Sequence, residues 1–232
     1  KFAYACSEEA CAKVFPMLGW AGYIKENKPP YDGNVPAGYI LICFDTDISP
    51  EIEIDAGICA QILADKFDVD ILINTGIAGS LNAAIDIGDM VISTDAVHHD
   101  MDATLFGDLI GQVPRMAVRY FPADEELVAK AKAANEKANP DIKTFTGRVA
   151  TGDQFVASKE VKERIVSNFG AYCTEMEGAG IAHAAYLNNI SYVIIRAISD
   201  KADNSATMDY PEFEKQAIVH SVRLVKELLP ML

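Results

Sequence analysis

No run of apolar residues in this 232-residue chain reaches the roughly 18 that a membrane-spanning helix needs. Half of the composition is nevertheless apolar, enough to build a core, so disorder is not expected either. Positive charge is scarce, with 20 Lys and Arg against 34 Asp and Glu and a formal net charge of -14. Nucleic acids and anionic membranes are bound through clustered Lys and Arg, so neither is an expected partner, and the ligand should be neutral or cationic. The five cysteines, Cys6, Cys11, Cys43, Cys59 and Cys173, are odd in number and form no C-x-x-C pair. They read as buried or free thiols in a reducing compartment rather than as a disulfide framework. The chain opens on Lys1 with no basic stretch followed by a long apolar segment, so no signal peptide is expected and a cytoplasmic location is.

Nor is there an internal repeat, a low-complexity tract or a linker, and residues 1–232 read as a single domain. Short apolar segments alternate with helical patterns, as in an α/β chain whose strands are joined by crossovers. The expected strands are Phe2 to Cys6, Tyr39 to Phe44, Val69 to Asn74, Met90 to Thr94, Thr144 to Thr151 and Tyr192 to Ile198. Apolar residues at three- and four-residue spacing predict helices over Ile54 to Phe67, Glu125 to Ala138, Lys159 to Asn168, Gly178 to Leu187 and Pro211 to Leu229. Asp209 is a plausible cap just before Pro211, which suits a first helical turn.

Asp200 is the first residue to suspect of chemistry. It follows the apolar run from Tyr192 and the charged Arg196, and open α/β sheets place their ligand sites outside the carboxyl ends of strands. Just upstream, Glu175-Met176-Glu177 opens a helix, and ionised carboxylates there would accept hydrogen bonds from the vicinal hydroxyls of a sugar. They also suit a solvated helix start favoured by the helix dipole. Arg196, inside an apolar strand, is expected to pair with one of these acids and to be structural, since an unpaired buried charge is costly.

Asn74-Thr75-Gly76-Ile77-Ala78-Gly79-Ser80 reads as a small-residue turn after a strand, where backbone could approach a ligand closely. His98-His99-Asp100-Met101-Asp102 is rich in possible metal ligands, but neighbours on an extended chain point opposite ways, so a loop or subunit contact is favoured over a metal site. Phe155, after Thr151-Gly152-Asp153-Gln154, could stack on a planar ring, although an aromatic in that place is by itself more often core.

Five ordered motifs together resemble one family: Ile73 to Gly79, His99 to Thr104, Gly111 to Pro114, Glu175 to Gly178 and Arg196 to Asp200. It is the 5'-methylthioadenosine/S-adenosylhomocysteine nucleosidases of the nucleoside phosphorylase/hydrolase superfamily, and the resemblance runs from about Gly57 to the C-terminus. It implies a three-layer α/β/α sandwich around a twisted mixed sheet. It also implies a homodimer, a purine nucleoside substrate, and hydrolysis of the adenine N-glycosidic bond with no metal or organic cofactor. Carried over by position, Asp200 would protonate the purine at N7. Glu177 would hold the ribose hydroxyls, with Glu175 beside it and Met176 beneath the sugar. Phe155 would stack on adenine and the Val156 backbone would read its edge, while Ala78 and Gly79 would line the ribose side. Phe106 and Pro114 would reach the neighbouring subunit's alkylthio pocket, and Tyr210 would close over the ligand.

The first 56 residues depart from the family. Its opening strand ends Gly-Ala-Met and supplies a Glu that activates water, whereas Ala10 or Cys11 stands at that position in Ala3-Tyr4-Ala5-Cys6-Ser7-Glu8-Glu9-Ala10-Cys11. Glu9 takes the role only if the register shifts by a residue or two, and Glu8 and Glu9 otherwise read as a solvated helix start. Ser49-Pro50-Glu51-Ile52-Glu53 replaces the family's Ser-Gly-Ile-Gly-Lys loop and should repel phosphate. The reading is thus a nucleosidase. Alternatives are a purine nucleoside phosphorylase, a hydrolase of a modified nucleoside such as futalosine, or a nucleoside-binding homologue with weak or no turnover.

Overall fold

The computed structural model describes residues 2–5, 40–44, 52–67, 69–202 and 210–232. Eight strands form one sheet: β1 Phe2–Ala5, β2 Ile40–Phe44, β3 Ile71–Ser80, β4 Met90–His98, β5 Phe121–Pro122, β6 Thr144–Thr151, β7 Cys173–Glu175 and β8 Ser191–Asp200. The helices are α1 Ile52–Phe67, α2 Glu125–Ala138, α3 Lys159–Phe169, α4 Gly178–Asn188 and α5 Tyr210–Leu228. No helix among the described residues is long and apolar enough to cross a membrane.

Side chains alternate along each central strand, and the alternation sorts them into two layers. Leu72, Val91, Tyr192 and Ile194 pack on one face beneath Ala60 and Leu63 of α1 and Ala179, Ile181 and Ala182 of α4. Their neighbours Ile73, Met90, Ile92, Val193 and Ile195 face Leu127, Ala131 and Ala134 of α2 and Phe213, Leu224 and Val225 of α5. The result is a sheet between two helical layers, as the resemblance implied. Asp124 caps α2 by accepting from the Leu127 backbone N–H at 2.9 Å, which holds its carboxyl below the usual range, and accepts from Ser191 Oγ at 2.8 Å. One residue thereby ties that helix to the start of β8.

The sheet is mixed and closes on itself. β1, β2, β3 and β8 run parallel, β4 is antiparallel to β8, β6 is parallel to β4 and β7, and β7 returns antiparallel to β3. β3, β8, β4, β6 and β7 therefore make a circuit in which each has two partners.

Two expectations need correction. Residues 74–80 are not a turn: β3 continues to Ser80, because its small residues let β7 and β8 approach it from either side. His98 is not in a loop, and neither histidine lies at the surface, although His99 does stand in the turn that follows β4. His98 ends β4 and packs edge-on against Phe121 and His183, and His99 is 2% exposed.

Candidate active site

The carboxyl end of β8 is where the chemistry collects. Its parallel pairing with β3 slips at Ala78/Gly79, so that Gly79 stands opposite Asp200, while on its other side Gly79 pairs with Thr174 of β7. A Cβ on Gly79 would lie 2.9 Å from Asp200 Oδ1 and 2.9 Å from Ala202 Cβ. The glycine is thus required by close approach rather than by a turn. Ser199 Oγ donates to Asp200 Oδ2 at 2.8 Å, and the Ala202 backbone N–H donates to Oδ1 at 2.6 Å. Asp200 is only 9% exposed, and Ala202, buried beside it, has φ 51°. A non-glycine residue held in that left-handed region costs about 1–3 kcal/mol and persists only where its surroundings enforce it.

The second acidic element is anchored by Arg196, four residues before Asp200 on the same strand and fully buried. Its Nη2 donates to Asn74 Oδ1 at 2.6 Å, to Glu177 Oε2 at 3.1 Å and, closer still, to Glu175 Oε2. The guanidinium therefore pairs with both acids. Glu175 turns inward: Oε1 accepts from Thr151 Oγ1, and Oε2 accepts from the Gly178 N–H at 2.8 Å and the Glu177 N–H at 3.2 Å. Thr151 Oγ1 in turn accepts from the Ala179 N–H at 2.8 Å. Glu175 and Thr151 thus satisfy the amides at the start of α4 that lack partners within the helix, where an anion is favoured. Glu177, its side chain 15% exposed, is the member of the pair that keeps access to solvent.

The segment after β6 is pinned from two sides. The Gly152 N–H donates to Glu175 O at 3.2 Å, and the Asp153 N–H donates to Asp100 Oδ2 at 2.9 Å. His99 packs so closely below that a Cβ on Gly152 would lie 2.6 Å from its Nε2. Burial lowers the His99 pKa against the opposing charge of Asp100. Phe155 leaves this segment 73% exposed, where a core aromatic would be covered, while Val156 is buried with Leu81, Val97, Ala150 and Ala202. That cluster joins the 152–156 segment to the turn after Asp200.

The structure thus gathers Ala78, Gly79, Glu175, Glu177 and Asp200 around the converging ends of β3, β7 and β8, with half-buried Met176 between the two glutamates. Phe106, 89% exposed in a single 3-10 turn (Thr104–Phe106), and exposed Pro114 belong to the stretch between β4 and β5, with exposed Leu105 and Leu109 alongside Phe106. Glu8, Glu9, Ser49, Glu51 and Asp209 lie outside the described residues, as does the side chain of Tyr210, whose backbone opens α5. Asn74 and Thr151 were missed as members of the site. A buried arginine demands several acceptors, and that demand was the one signal pointing to Asn74; Thr151 enters through Glu175 instead.

The arrangement sets one nearly buried carboxyl group, Asp200, apart from a second, partly exposed one held by Arg196. Residues 54–230 match the Phosphorylase superfamily. A 5'-methylthioadenosine/S-adenosylhomocysteine nucleosidase from Treponema pallidum (strain Nichols) is 38% identical over 252 aligned positions, covering 99% of this chain and 92% of the relative. The crystal structure of the corresponding nucleosidase from Neisseria meningitidis, in complex with methylthio-immucillin-A, superposes with a TM-score of 0.73 at 36% identity over 78% of each chain. A futalosine hydrolase from Helicobacter pylori superposes with a TM-score of 0.72 at 31% identity, over 78% of this chain and 77% of that one.

Proposed function

Since this chain belongs to the phosphorylase superfamily, and within it to the 5'-methylthioadenosine/S-adenosylhomocysteine nucleosidases, we propose that it hydrolyses the adenine N-glycosidic bond of one or both nucleosides. The observation that carries the reading is the pairing of two carboxyl groups in unlike settings, Asp200 beside Gly79 and Glu177 on Arg196.

Cleavage of this bond builds positive charge on the ribose and negative charge on the leaving base. A proton donor is therefore needed at the base and acceptors at the sugar. Asp200 supplies the proton to purine N7. Its Oδ1 accepts the fixed Ala202 N–H, whereas the donor on Oδ2 is the rotatable Ser199 hydroxyl, which also reaches the Ala78 carbonyl at 3.3 Å and can leave Oδ2 to carry the proton. Glu177 accepts from the ribose hydroxyls while Glu175 and Arg196 hold it in place, and Met176 packs beneath the ring. Phe155 stacks on the adenine, the Val156 backbone reads its edge, and Ala78 and Gly79 line the ribose side. Water adds to the anomeric carbon as adenine departs with the proton from Asp200. The Glu9 carboxylate takes the proton that the water loses as it adds, and Tyr210 closes over the ligand.

The exposed Phe106 and Pro114 suit a homodimer in which each subunit completes its partner's alkylthio pocket. The buried Cys173 thiol, its pKa pushed up by burial, suits a reducing cytoplasm.

The test is incubation with each nucleoside, with and without phosphate, followed by chromatography for adenine. Release independent of phosphate and abolished in Asp200→Asn is expected. No release under either condition would sink the reading. The similarity to a futalosine hydrolase makes a modified nucleoside the second reading, and including futalosine in the substrate panel separates the two.

A further inference from the structure

We propose that Lys201 is a positioning residue for the proton donor, clamping the turn after Asp200 to the loop between β3 and β4. The proposal rests on Asp200 acting as the acid. The Lys201 ammonium donates to the carbonyl of Ile85 at 2.6 Å and to Asp86 Oδ1 at 3.0 Å, and its own carbonyl accepts from Lys162 Nζ of α3. That loop is a rigid anchor. Ile85 is fully buried, the Asp86 N–H donates to Asp89 Oδ2 at 2.8 Å, and the Lys143 N–H donates to Asp89 Oδ1 at 3.0 Å.

The same loop grips β8 just before the acid: the Gly88 N–H donates to Ile198 O and the Ile198 N–H donates to Asp89 O, both at 2.9 Å. Asp200 is therefore held by one loop on both sides, through backbone at Ile198 and through a side chain at Lys201. Ala202, whose N–H orients Oδ1, sits at φ 51°, a conformation that needs an outside constraint. Its close contact with Gly79 supplies part of that constraint and Lys201 the rest. As a partly exposed ion pair, Lys201–Asp86 adds little to stability, so its effect should appear in geometry.

Lys201→Met, Lys201→Arg and the matched control Lys143→Met, which removes the other lysine on Asp86, separate these effects. In Lys201→Met, kcat for adenine release should fall about tenfold with KM held within about twofold, as expected of a misplaced acid. Lys201→Arg should restore most of the rate and Lys143→Met should leave it unchanged. Independently of any substrate, the Ala202 amide should exchange with solvent about tenfold faster in Lys201→Met alone. Unchanged exchange overturns the proposal. So does faster exchange with an unaltered kcat, or a lowered melting temperature with kcat intact. If the wild type releases no adenine, the nucleosidase reading fails separately, and the Ala202 exchange still decides whether Lys201 holds the turn.

Discussion

Arg196→Met removes the cation from a buried cluster in which the guanidinium is fully covered and the Glu175 side chain is 2% exposed. Breaking a buried pair by deleting one partner costs about 3–5 kcal/mol, because the remaining charge is left uncompensated. Glu175 would keep three donors, Thr151 Oγ1 and the amides of Gly178 and Glu177, so the cost should fall near about 3 kcal/mol. Domains of ordinary stability survive such a loss. With a urea m-value near the top of the usual range of about 1–3 kcal/mol/M, the unfolding midpoint should drop by about 1 M. The measurement is urea denaturation at one protomer concentration, since association would shift the apparent stability. The double variant Arg196→Met/Glu175→Gln should be no less stable than Arg196→Met alone, because the stranded charge leaves while an amide oxygen remains to accept from the start of α4. An unchanged midpoint in Arg196→Met, or single losses that simply add in the double variant, would refute the assignment of Arg196 as the countercharge.

Gly79→Ala brings a methyl group to 2.9 Å from Asp200 Oδ1 and should slow adenine release at least about tenfold, checked by initial rates. Phe155→Ala, at a position 73% exposed, should shift stability by less than about 0.5 kcal/mol. Loss of the ring face should raise the KM for methylthioadenosine about threefold to tenfold, and an unchanged KM would argue against stacking. His99 is held below its ordinary pKa by burial, so the unfolded chain takes up a proton first as pH falls. Its stabilising contribution is full above about pH 6.5 and declines as pH drops towards the lowered folded value. Melting temperatures between pH 7.5 and 5.5 should show this decline, and a slope equally steep in His99→Gln would contradict it. Burial also lowers His183 and His220, so part of the slope should remain in that variant.

Where a segment's own periodicity decides its structure, it was legible in advance. Glu125 to Ala138 and Thr144 to Thr151 are helix and strand within the expected bounds, and the two-layer core follows from the alternation in β3, β4 and β8. The continuation of β3 to Ser80 was not legible, because Gly76 and Gly79 look alike whether they bend a chain or let two strands approach it. β5 and β7, two and three residues long, are too short to carry a period. In the site, a charge inside an apolar run exposed Arg196 as a paired residue, but its pairing with both acids depends on β7 reaching β3 from the far side. Glu175 was expected to face a ligand, yet its two oxygens are occupied by donors from three other elements of the chain: Thr151, Arg196 and the start of α4. Asn74, Thr151 and Lys201 find partners 122, 24 and 115 residues away, separations that no local pattern encodes.

The circuit of β3, β8, β4, β6 and β7 has a consequence for how this site can change. Each strand bearing Gly79, Arg196, Asp200, Thr151 or Glu175 is bonded on both sides, so among the described strands only β1 and β5 offer an edge to another chain. These residues cannot be re-spaced one strand at a time, because moving one breaks two ladders. On the proposed reading, change of substrate is thus steered to the segments hung outside the ring, the exposed Phe155 stretch and the Phe106 turn, while Asp200 and Glu177 stay fixed as a block.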